Sequence, residues 1–313
     1  MTLVVRYLWM RTKASQLSPD NTYVVFEKYS YHGVAVNSPY RQQLFASVRD
    51  LGKGARMPQV WALGALRIVT NAYKKTILGP WWITISMCFF VFGLSYLRIA
   101  LGGSGKSFSD AVAFVGTGFI AFSFVNGAIS TAAGSFSSSQ GVHATSALPI
   151  STSIFRTVTA NTLDFAHEAL VVVLLIAAFG VRPGWLWLEV IPAIATVMLF
   201  HFGLLLWLGP LVCRFRDVGP IVAMVQRIAI FLSPIFWSIE QVQASDRLNL
   251  AKWNPYTYFI SAFRDPLLGI THELSHLPSP LLISALLSLL NLLIGLVVFG
   301  YSYPRLTYWA TST

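Results

Sequence analysis

The sequence has few charged residues. Asp, Glu, Lys and Arg make up 11% of its 313 residues, whereas soluble domains carry about 25%. Hydrophobic residues make up 55%, and the mean hydropathy is +0.62. These values exclude an ordinary soluble domain and predict a polytopic membrane protein.

The sequence is also poor in groups that carry chemistry. Its two cysteines, Cys88 and Cys213, fall in or beside apolar runs, which excludes a disulfide scaffold and a cysteine metal cluster. No G-x-S-x-G nucleophile motif occurs. We therefore predict no catalytic residue, no metal site and no bound cofactor in this chain. Arg6 interrupts the apolar first ten residues and no small-residue cleavage site follows, so no signal peptide is predicted.

Acidic residues are outnumbered by basic ones, and the net charge is +10. A nucleic-acid-binding protein would gather its bases on one face or stripe. Here the bases are spread along the chain and are most frequent before residue 81. The positive-inside bias of membrane proteins explains this distribution more simply.

Residues 73–82, YKKTILGPWW, mark the start of the membrane region. The basic pair Lys74 and Lys75 closes a segment with helical periodicity, and Gly79-Pro80 breaks that helix, since proline removes a donor and clashes with the preceding turn. Two tryptophans then open an apolar run of about twenty residues. This order predicts a helix that enters the membrane from its cytoplasmic face.

Six apolar runs are each long enough to span a bilayer. They cover residues 81–100, 111–131, 161–180, 186–210, 220–239 and 280–301. With the N-terminus inside, sixteen Lys and Arg residues fall in inner segments and six in outer ones, which predicts that both termini are cytoplasmic. The predicted fold is an all-α membrane protein with six transmembrane helices.

Three segments outside these runs complete the predicted fold. Residues 1–57 are polar and are predicted to be a partly ordered cytoplasmic segment, and residues 58–313 form the transmembrane domain. Residues 58–75 are predicted to form an amphipathic interfacial helix in the headgroup plane, with an ordinary helix packed on protein as the alternative. Residues 254–269 are predicted to form short outer re-entrant helices before the last span. The predicted faces of the interfacial helix are an apolar one, Trp61, Ala65, Ile68, Val69 and Ala72, and a polar one, Arg67, Asn71, Lys74 and Lys75.

Two motifs invite other interpretations. Residues 100–107, ALGGSGKS, approach the phosphate loop G-x-x-x-x-G-K-[ST], but Ala100 replaces the first glycine and the α/β context is missing. We interpret them as a flexible outer loop. Asp164, His167 and Glu168 share one helix face, and intramembrane ionisable groups are functional candidates. The interpretation we favour is a polar cluster bonded between helices near the cytoplasmic surface.

Aromatic residues are abundant, at 14% of the chain. In a membrane protein most rings face lipid or form interfacial belts. A conduit for a glycan would also need rings, because the apolar C–H face of a sugar stacks on them. Sequence does not separate the two roles. The candidate conduit aromatics are Phe89, Phe92, Tyr96, Phe119, Phe122, Phe231, Phe236 and Trp237.

Five stretches in order resemble one family, the polysaccharide-exporting type-2 ABC permeases for O-antigen, capsule and teichoic acid. They are YKKTILGPWWITIS at 73–86, LPIS at 148–151 with FRTVTANTLDFAHE at 155–168, CRFRDVGPIV at 213–222, FLSPIFW at 231–237 and NPYTYFISAFRDPLLG at 254–269. The similarity runs from about residue 60 to residue 305. The chain departs from the family pattern in carrying lysines where the family has arginines, and Lys offers a point charge where Arg offers a fork.

The resemblance implies a permease subunit that forms a homodimer and recruits a separate ABC ATPase, which binds ATP and Mg²⁺. Lipid-linked polysaccharide would pass through the dimer across the bacterial inner membrane. The chain would therefore be a transporter subunit and not an enzyme. The implied substrate-admission residues are Tyr73, Lys74, Lys75, Gly79, Pro80, Trp81 and Trp82. The implied ATPase-coupling residues are Gln140, His143, Leu148, Pro149, Phe155 and Arg156.

Three other functions remain open from sequence. The same fold exports small lipophilic drugs, which a structure would separate by its conduit aromatics. A membrane-embedded glycosyl- or acyltransferase would need carboxylates or histidines that face a cavity. A channel without an ATPase would need no inner loop suited to docking.

Overall fold

The computed structural model describes residues 38–74, 76–79, 81–100, 107–136, 148–178, 184–238, 252–269, 279–306 and 309. Within these ranges the secondary structure is helical, without β-strands. The helices, numbered in chain order, are α1 (Tyr40–Ala55), α2 (Pro58–Ala72), α3 (Trp81–Ala100), α4 (Phe108–Gly134), α5 (Ser151–Ala178), α6 (Val190–Arg214), α7 (Val218–Leu232), α8 (Pro255–Leu268) and α9 (Pro280–Ser302). Two 3₁₀ turns, Trp185–Glu189 and Tyr303–Arg305, precede α6 and follow α9.

Four helical segments of the described chain are long and apolar enough to cross a membrane. They are Trp81–Ala100, Phe108–Gly134, Trp185–Arg214 and Pro280–Arg305. The predicted third run belongs to α5, which begins ten residues earlier, at Ser151, because the polar stretch after Pro149 continues the same helix. The chain is thus a multi-pass membrane protein.

The predicted fifth run, 220–239, is interrupted. Helix α7 has 15 residues and ends at Leu232. Ser233 takes an extended conformation (φ −93°, ψ 144°), as expected for a residue before proline. Residues 233–238 are therefore non-helical, and an uninterrupted helix over the whole run was a wrong expectation.

Helix α4 is the centre of the bundle. It contacts α3, α5, α6, α7 and α8, and its small residues allow neighbours to approach closely. Phe124 anchors this core, with its ring stacked on Phe165 at 4.1 Å and edge-on to Phe263 at 6.4 Å. Helix α4 is therefore surrounded mainly by protein rather than by lipid.

Helices α6 and α9 pack backbone to backbone. A Cβ atom on Gly295 would lie 2.6 Å from the carbonyl oxygen of Gly203, so no larger residue fits there. Asn291 on α9 donates to the carbonyl of Phe200 at 2.7 Å and accepts from the Trp207 indole at 2.7 Å. Small residues and interhelical hydrogen bonds are the usual means of packing in membranes.

Helix α1 lies within the segment that was expected to be only partly ordered. It packs on α5 and α9 through Gln43, Ser47, Asp50 and Gly54. The buried Asp50 carboxylate accepts from the Ser151 amide at 2.9 Å and from the Tyr303 hydroxyl at 3.2 Å. One carboxylate therefore ties α1 to the start of α5 and to the turn after α9.

The non-helical segment after α7 is held by two buried arginines. Arg264 on α8 donates to the carbonyl of Pro234 at 2.7 Å, and Arg98 on α3 donates to that of Phe236 at 3.0 Å. Both guanidinium groups lie against the ring of Phe114, at 3.8 Å for Arg98 and 4.1 Å for Arg264. Carbonyls outside a helix need donors in an apolar environment, and these arginines supply them.

Helix α8 coincides with the predicted re-entrant segment. Asn254 caps its start by accepting from the Tyr256 amide at 3.0 Å, and Gly269 ends it in the left-handed conformation (φ 64°). It is one helix of 14 residues rather than several short ones, and residues 256–267 are all buried.

Candidate functional site

The described residues between α2 and α3 include a turn at Gly79 that leads into α3. Tyr73 is the C-terminal capping residue of α2, and Lys74 is exposed. Gly79 has a φ of +54°, a conformation that suits glycine, and the amide of Trp82 bonds back to its carbonyl. The predicted residues Lys75 and Pro80 lie outside the described residues.

The two tryptophans that begin α3 project away from the protein. The exposed fractions of Trp81 and Trp82 are 69% and 61%. Exposed indoles at the start of an apolar helix are typical of the membrane interface. Their position agrees with the predicted entrance point of the first span.

Helix α2 packs on protein along one side. Trp61 lies 6.1 Å from Phe155 between ring centroids, and a Cβ atom on Gly64 would lie 2.7 Å from the Arg156 side chain. Of the predicted apolar face, Ala65 is fully buried. Two members, Ile68 and Ala72, are exposed, as are Leu63 and Leu66. The helix is thus packed against the first turns of α5 and keeps an apolar outer side.

A cavity of about 290 Å³ opens between α2 and α5. This cavity brings the admission stretch and the polar cluster together, although they are about ninety residues apart in sequence. Its lining is Val69, Thr70, Tyr73, Asp164 and His167. Helical spacing in the sequence places Val69, Thr70 and Tyr73 on one face of α2, and Asp164 and His167 on one face of α5. No sequence pattern showed that these two faces meet.

The cavity is lined by one carboxylate, that of Asp164, and by no Lys or Arg among the described residues. Burial, followed by the charges of Asp164 and Glu168, raises the pKa of Tyr73, which therefore stays a neutral phenol. The ring of His167 bonds the hydroxyl of Thr84 on α3 across 3.4 Å. This contact fits the favoured interpretation of the cluster as polar groups bonded between helices.

The candidate conduit aromatics fall into two groups. Four rings on α3 and α7 are exposed, with exposed fractions of 76% for Phe89, 38% for Phe92, 72% for Tyr96 and 68% for Phe231. These rings are on the surface of this chain, and that of Phe92 also stacks on Phe108 at 6.1 Å between ring centroids.

The other candidate rings are enclosed to different degrees. Phe122 is buried and lies 5.1 Å from Tyr256 between ring centroids. Phe119 is half-buried and stacks on Phe90 at 5.1 Å. Phe236 and Trp237 are half-buried in the segment after α7. These four rings contribute to packing within the chain.

The candidate coupling residues that the structure describes lie just before α5 or in its first two turns. Pro149 is buried two residues before the helix begins at Ser151. Phe155 is half-buried and its ring lies 5.2 Å from that of Phe202. Arg156 is half-buried beside α2, and Leu148 is half-buried. Gln140 and His143 lie outside the described residues.

One pattern bears on the prediction that the chain has no metal site. Residues 272–276 read HELSH and fit the zinc motif H-E-x-x-H, which needs both histidines on one helix face. They belong to the connection between α8 and α9 and lie outside the described residues. The absence of a metal site therefore stays a prediction.

Comparison with known proteins gives one match. The family model described as ABC-2 type transporter matches residues 58–268, which is most of the chain and includes α2 to α8. A search of curated proteins finds no match. The matched range contains the admission stretch, the start of α5 and the interrupted α7, whereas α1 and α9 lie outside it.

The family implies an ABC ATPase as partner and a role in transport rather than in bond chemistry. The chain belongs to the ABC-2 type transporter family and is a membrane subunit of an ABC exporter.

Proposed function

We propose that this chain is the permease subunit of an exporter that moves lipid-linked polysaccharide, of O-antigen or capsule type, across the bacterial inner membrane. Two copies form the conduit, six spans cross the membrane, and both termini are cytoplasmic. A separate ATPase hydrolyses ATP.

The exposed face of α7 carries the conduit proposal. Met224 and Phe231 are exposed there, at 56% and 68%, and Arg227 lies exposed between them. An arginine facing hydrocarbon is costly, and such residues usually face a water-filled cavity. The apolar and charged character of this face fits a wet path better than a lipid contact.

Helix α3 supplies a second exposed face. It carries Phe89 and Tyr96, both more than two-thirds exposed, on the side away from α4. In our proposal a second copy of the chain faces the exposed sides of α3 and α7. Rings on both helices then offer stacking surfaces to the sugar units, and Arg227 meets water.

The admission step uses the turn before α3. In our proposal Lys74 and Lys75 hold the pyrophosphate that joins glycan to polyprenyl lipid, and the dipole of α2 favours cations at that end. The exposed Trp81 and Trp82 hold the turn at the interface. The alternative is that both lysines only enforce membrane orientation.

A second function is favoured by the cavity beside this turn. Asp164 lines it, and a carboxylate repels a pyrophosphate but attracts an amine. About 290 Å³ is at the lower end of volumes that bind small molecules. Export of small cationic amphiphiles is therefore the second candidate.

One reconstitution separates the two. The chain and its ATPase are placed in vesicles, and ATP-driven transport of lipid-linked glycan and of a cationic dye is measured for the wild type and Asp164→Asn. We expect the vesicles to transport the glycan, and we expect Asp164→Asn to leave this transport intact. The second candidate would be established instead if the vesicles transport the dye but not the glycan, and if Asp164→Asn abolishes dye transport.

Coupling to the ATPase is assigned to the inner connection and the start of α5. We expect a photocrosslinker at position 148 to capture the ATPase subunit. Its matched control is position 312, in the C-terminal tail. Capture only from position 312 would contradict the assignment.

Topology has an independent test. A cysteine at position 104 should react with an impermeant reagent from outside whole cells, and one at position 141 should not. The reverse pattern at both positions would overturn the proposed orientation.

A further inference from the structure

Helix α1 presents a basic face with apolar side chains in its middle. Phe45 and Val48 are exposed, at 82% and 51%. Arg41, Arg49 and Lys53 are exposed beside them, at helical spacings that place them on the same side. The helix has one acidic residue, Asp50, which points the opposite way and is buried.

The orientation of this face is fixed by the buried side of α1. Asp50 is bonded to Ser151 and Tyr303, and the Ser151 hydroxyl donates to the backbone carbonyl of Asp50 at 2.7 Å. A Cβ atom on Gly54 would collide with the Ser151 side chain, so the helices touch there. The helix therefore cannot roll to bury Phe45 without breaking these contacts.

The start of α1 contacts the last two turns of a membrane-spanning helix, α9. The Tyr40 hydroxyl donates to the carbonyl of Val297 at 3.0 Å, and Val297 is inside the span Pro280–Arg305. Neighbouring side chains of that span, Ile294 and Tyr301, are about half exposed, at 47% and 55%. The exposed face of α1 is thus continuous with a side of α9 that is suited to lipid.

We infer that the face of Arg41, Phe45, Val48, Arg49 and Lys53 binds the anionic headgroups of the adjacent leaflet, with the phosphates on the bases and Phe45 among the upper acyl carbons. A helix with bases flanking an exposed aromatic residue is suited to lie in an anionic interface. On the proposed topology this is the cytoplasmic leaflet. An acidic surface of the ATPase is the rival occupant, but it would not require the start of α1 to lie beside the last two turns of the α9 span.

The inference does not depend on the cargo, and a lipid measurement tests it alone. The full chain is prepared without Cys88 and Cys213, and Val48→Cys carries an environment-sensitive fluorophore. It is placed in nanodiscs of phosphatidylcholine, alone or with increasing phosphatidylglycerol. We expect a blue-shifted emission that rises with phosphatidylglycerol and is reversed by high salt, because salt screens exposed charges.

Charge variants show which side chains are responsible. In the variant Arg41→Gln/Arg49→Gln/Lys53→Gln, the phosphatidylglycerol content that produces half of the emission shift should rise at least about tenfold, or the shift should vanish. Arg41→Lys/Arg49→Lys should keep it, which controls for misfolding. The matched control, Arg214→Gln/Arg216→Gln/Lys252→Gln, removes equal charge from exposed positions elsewhere and should leave the shift unchanged.

Three results would overturn the inference. They are an emission independent of phosphatidylglycerol, an equal loss in the matched control, and a shift produced only on addition of the ATPase.

Discussion

Helices α3 and α4 are nearly equal in hydropathy but differ in their surroundings. In the most apolar part of each, 22% of the residues of α3 and 72% of those of α4 are buried within the chain. Helix α4 is built from small residues with a few rings that pack on rings of neighbouring helices, whereas α3 carries large exposed rings. A hydropathy value therefore identifies a span but does not show whether protein, lipid or cargo surrounds it.

The largest expected difference between the two helices is in stability. Phe124→Ala on α4 removes a ring stacked on Phe165 and should lower the free energy of unfolding by about 3–5 kcal/mol. Phe89→Ala on α3 removes a ring that is 76% exposed and should change it by less than about 0.5 kcal/mol. Thermal denaturation in the same detergent measures both. Equal destabilisation would show that α3 is as enclosed as α4.

The next effect concerns the turn that leads into α3. Lys74→Gln/Lys75→Gln should reduce glycan export at least about tenfold, because each charge-assisted bond to the pyrophosphate is worth about 1–3 kcal/mol. Nine other bases before residue 81 keep the orientation, and the complex with the ATPase should still assemble. Surface glycan and membrane protein level are measured together.

A matched pair of substitutions controls for the loss of charge alone. Arg67→Gln/Arg216→Gln removes the same charge from two other exposed positions and should leave export intact. Normal surface glycan in the lysine variant, at wild-type protein level, would remove the admission role and leave orientation as the function of both lysines.

A smaller effect is expected from the rings themselves. Phe89→Ala/Tyr96→Ala/Phe231→Ala should lower the export rate about tenfold, since each ring contact contributes about 0.5–1.5 kcal/mol. The melting temperature should stay close to that of the wild type, because all three rings are exposed. Leucine at the same positions keeps apolar bulk without a ring face. If the alanine variant exports glycan at the wild-type rate, these rings contact lipid and not the glycan.

The helical architecture could be predicted from sequence because apolar runs and breaks are local signals. The predicted runs 81–100, 111–131, 186–210 and 280–301 coincide with the four helical segments that can span a membrane. The end of α7 was missed because Pro234 lies inside an apolar run that looks continuous by hydropathy.

Helix α1 could not be predicted from the sequence, for a different reason. Its buried side consists of Gln43, Ser47, Asp50 and Gly54, so no apolar periodicity marks it. Counting charges assigned Arg98 and Arg264 to the six outer bases but did not show what they bind. Both are buried and bind carbonyls of the segment after α7. Such roles depend on contacts distant in sequence.

The sequence likewise could not show which aromatic rings are exposed and which are enclosed. Phe89 and Phe122 lie in similar apolar runs, but Phe122 is buried and packs on Tyr256 of α8, whereas Phe89 is exposed. The meeting of Tyr73 with Asp164 across α2 and α5 also required the structure.

The central proposal is that exported glycan passes along the exposed faces of α3 and α7. A photoreactive phenylalanine at position 89, activated during ATP-driven export, tests it most directly, with position 122 as the enclosed control. We predict that position 89 is crosslinked to lipid-linked glycan and that position 122 is not. Glycan captured at position 122 alone, or only phospholipid captured at position 89, would contradict the proposal.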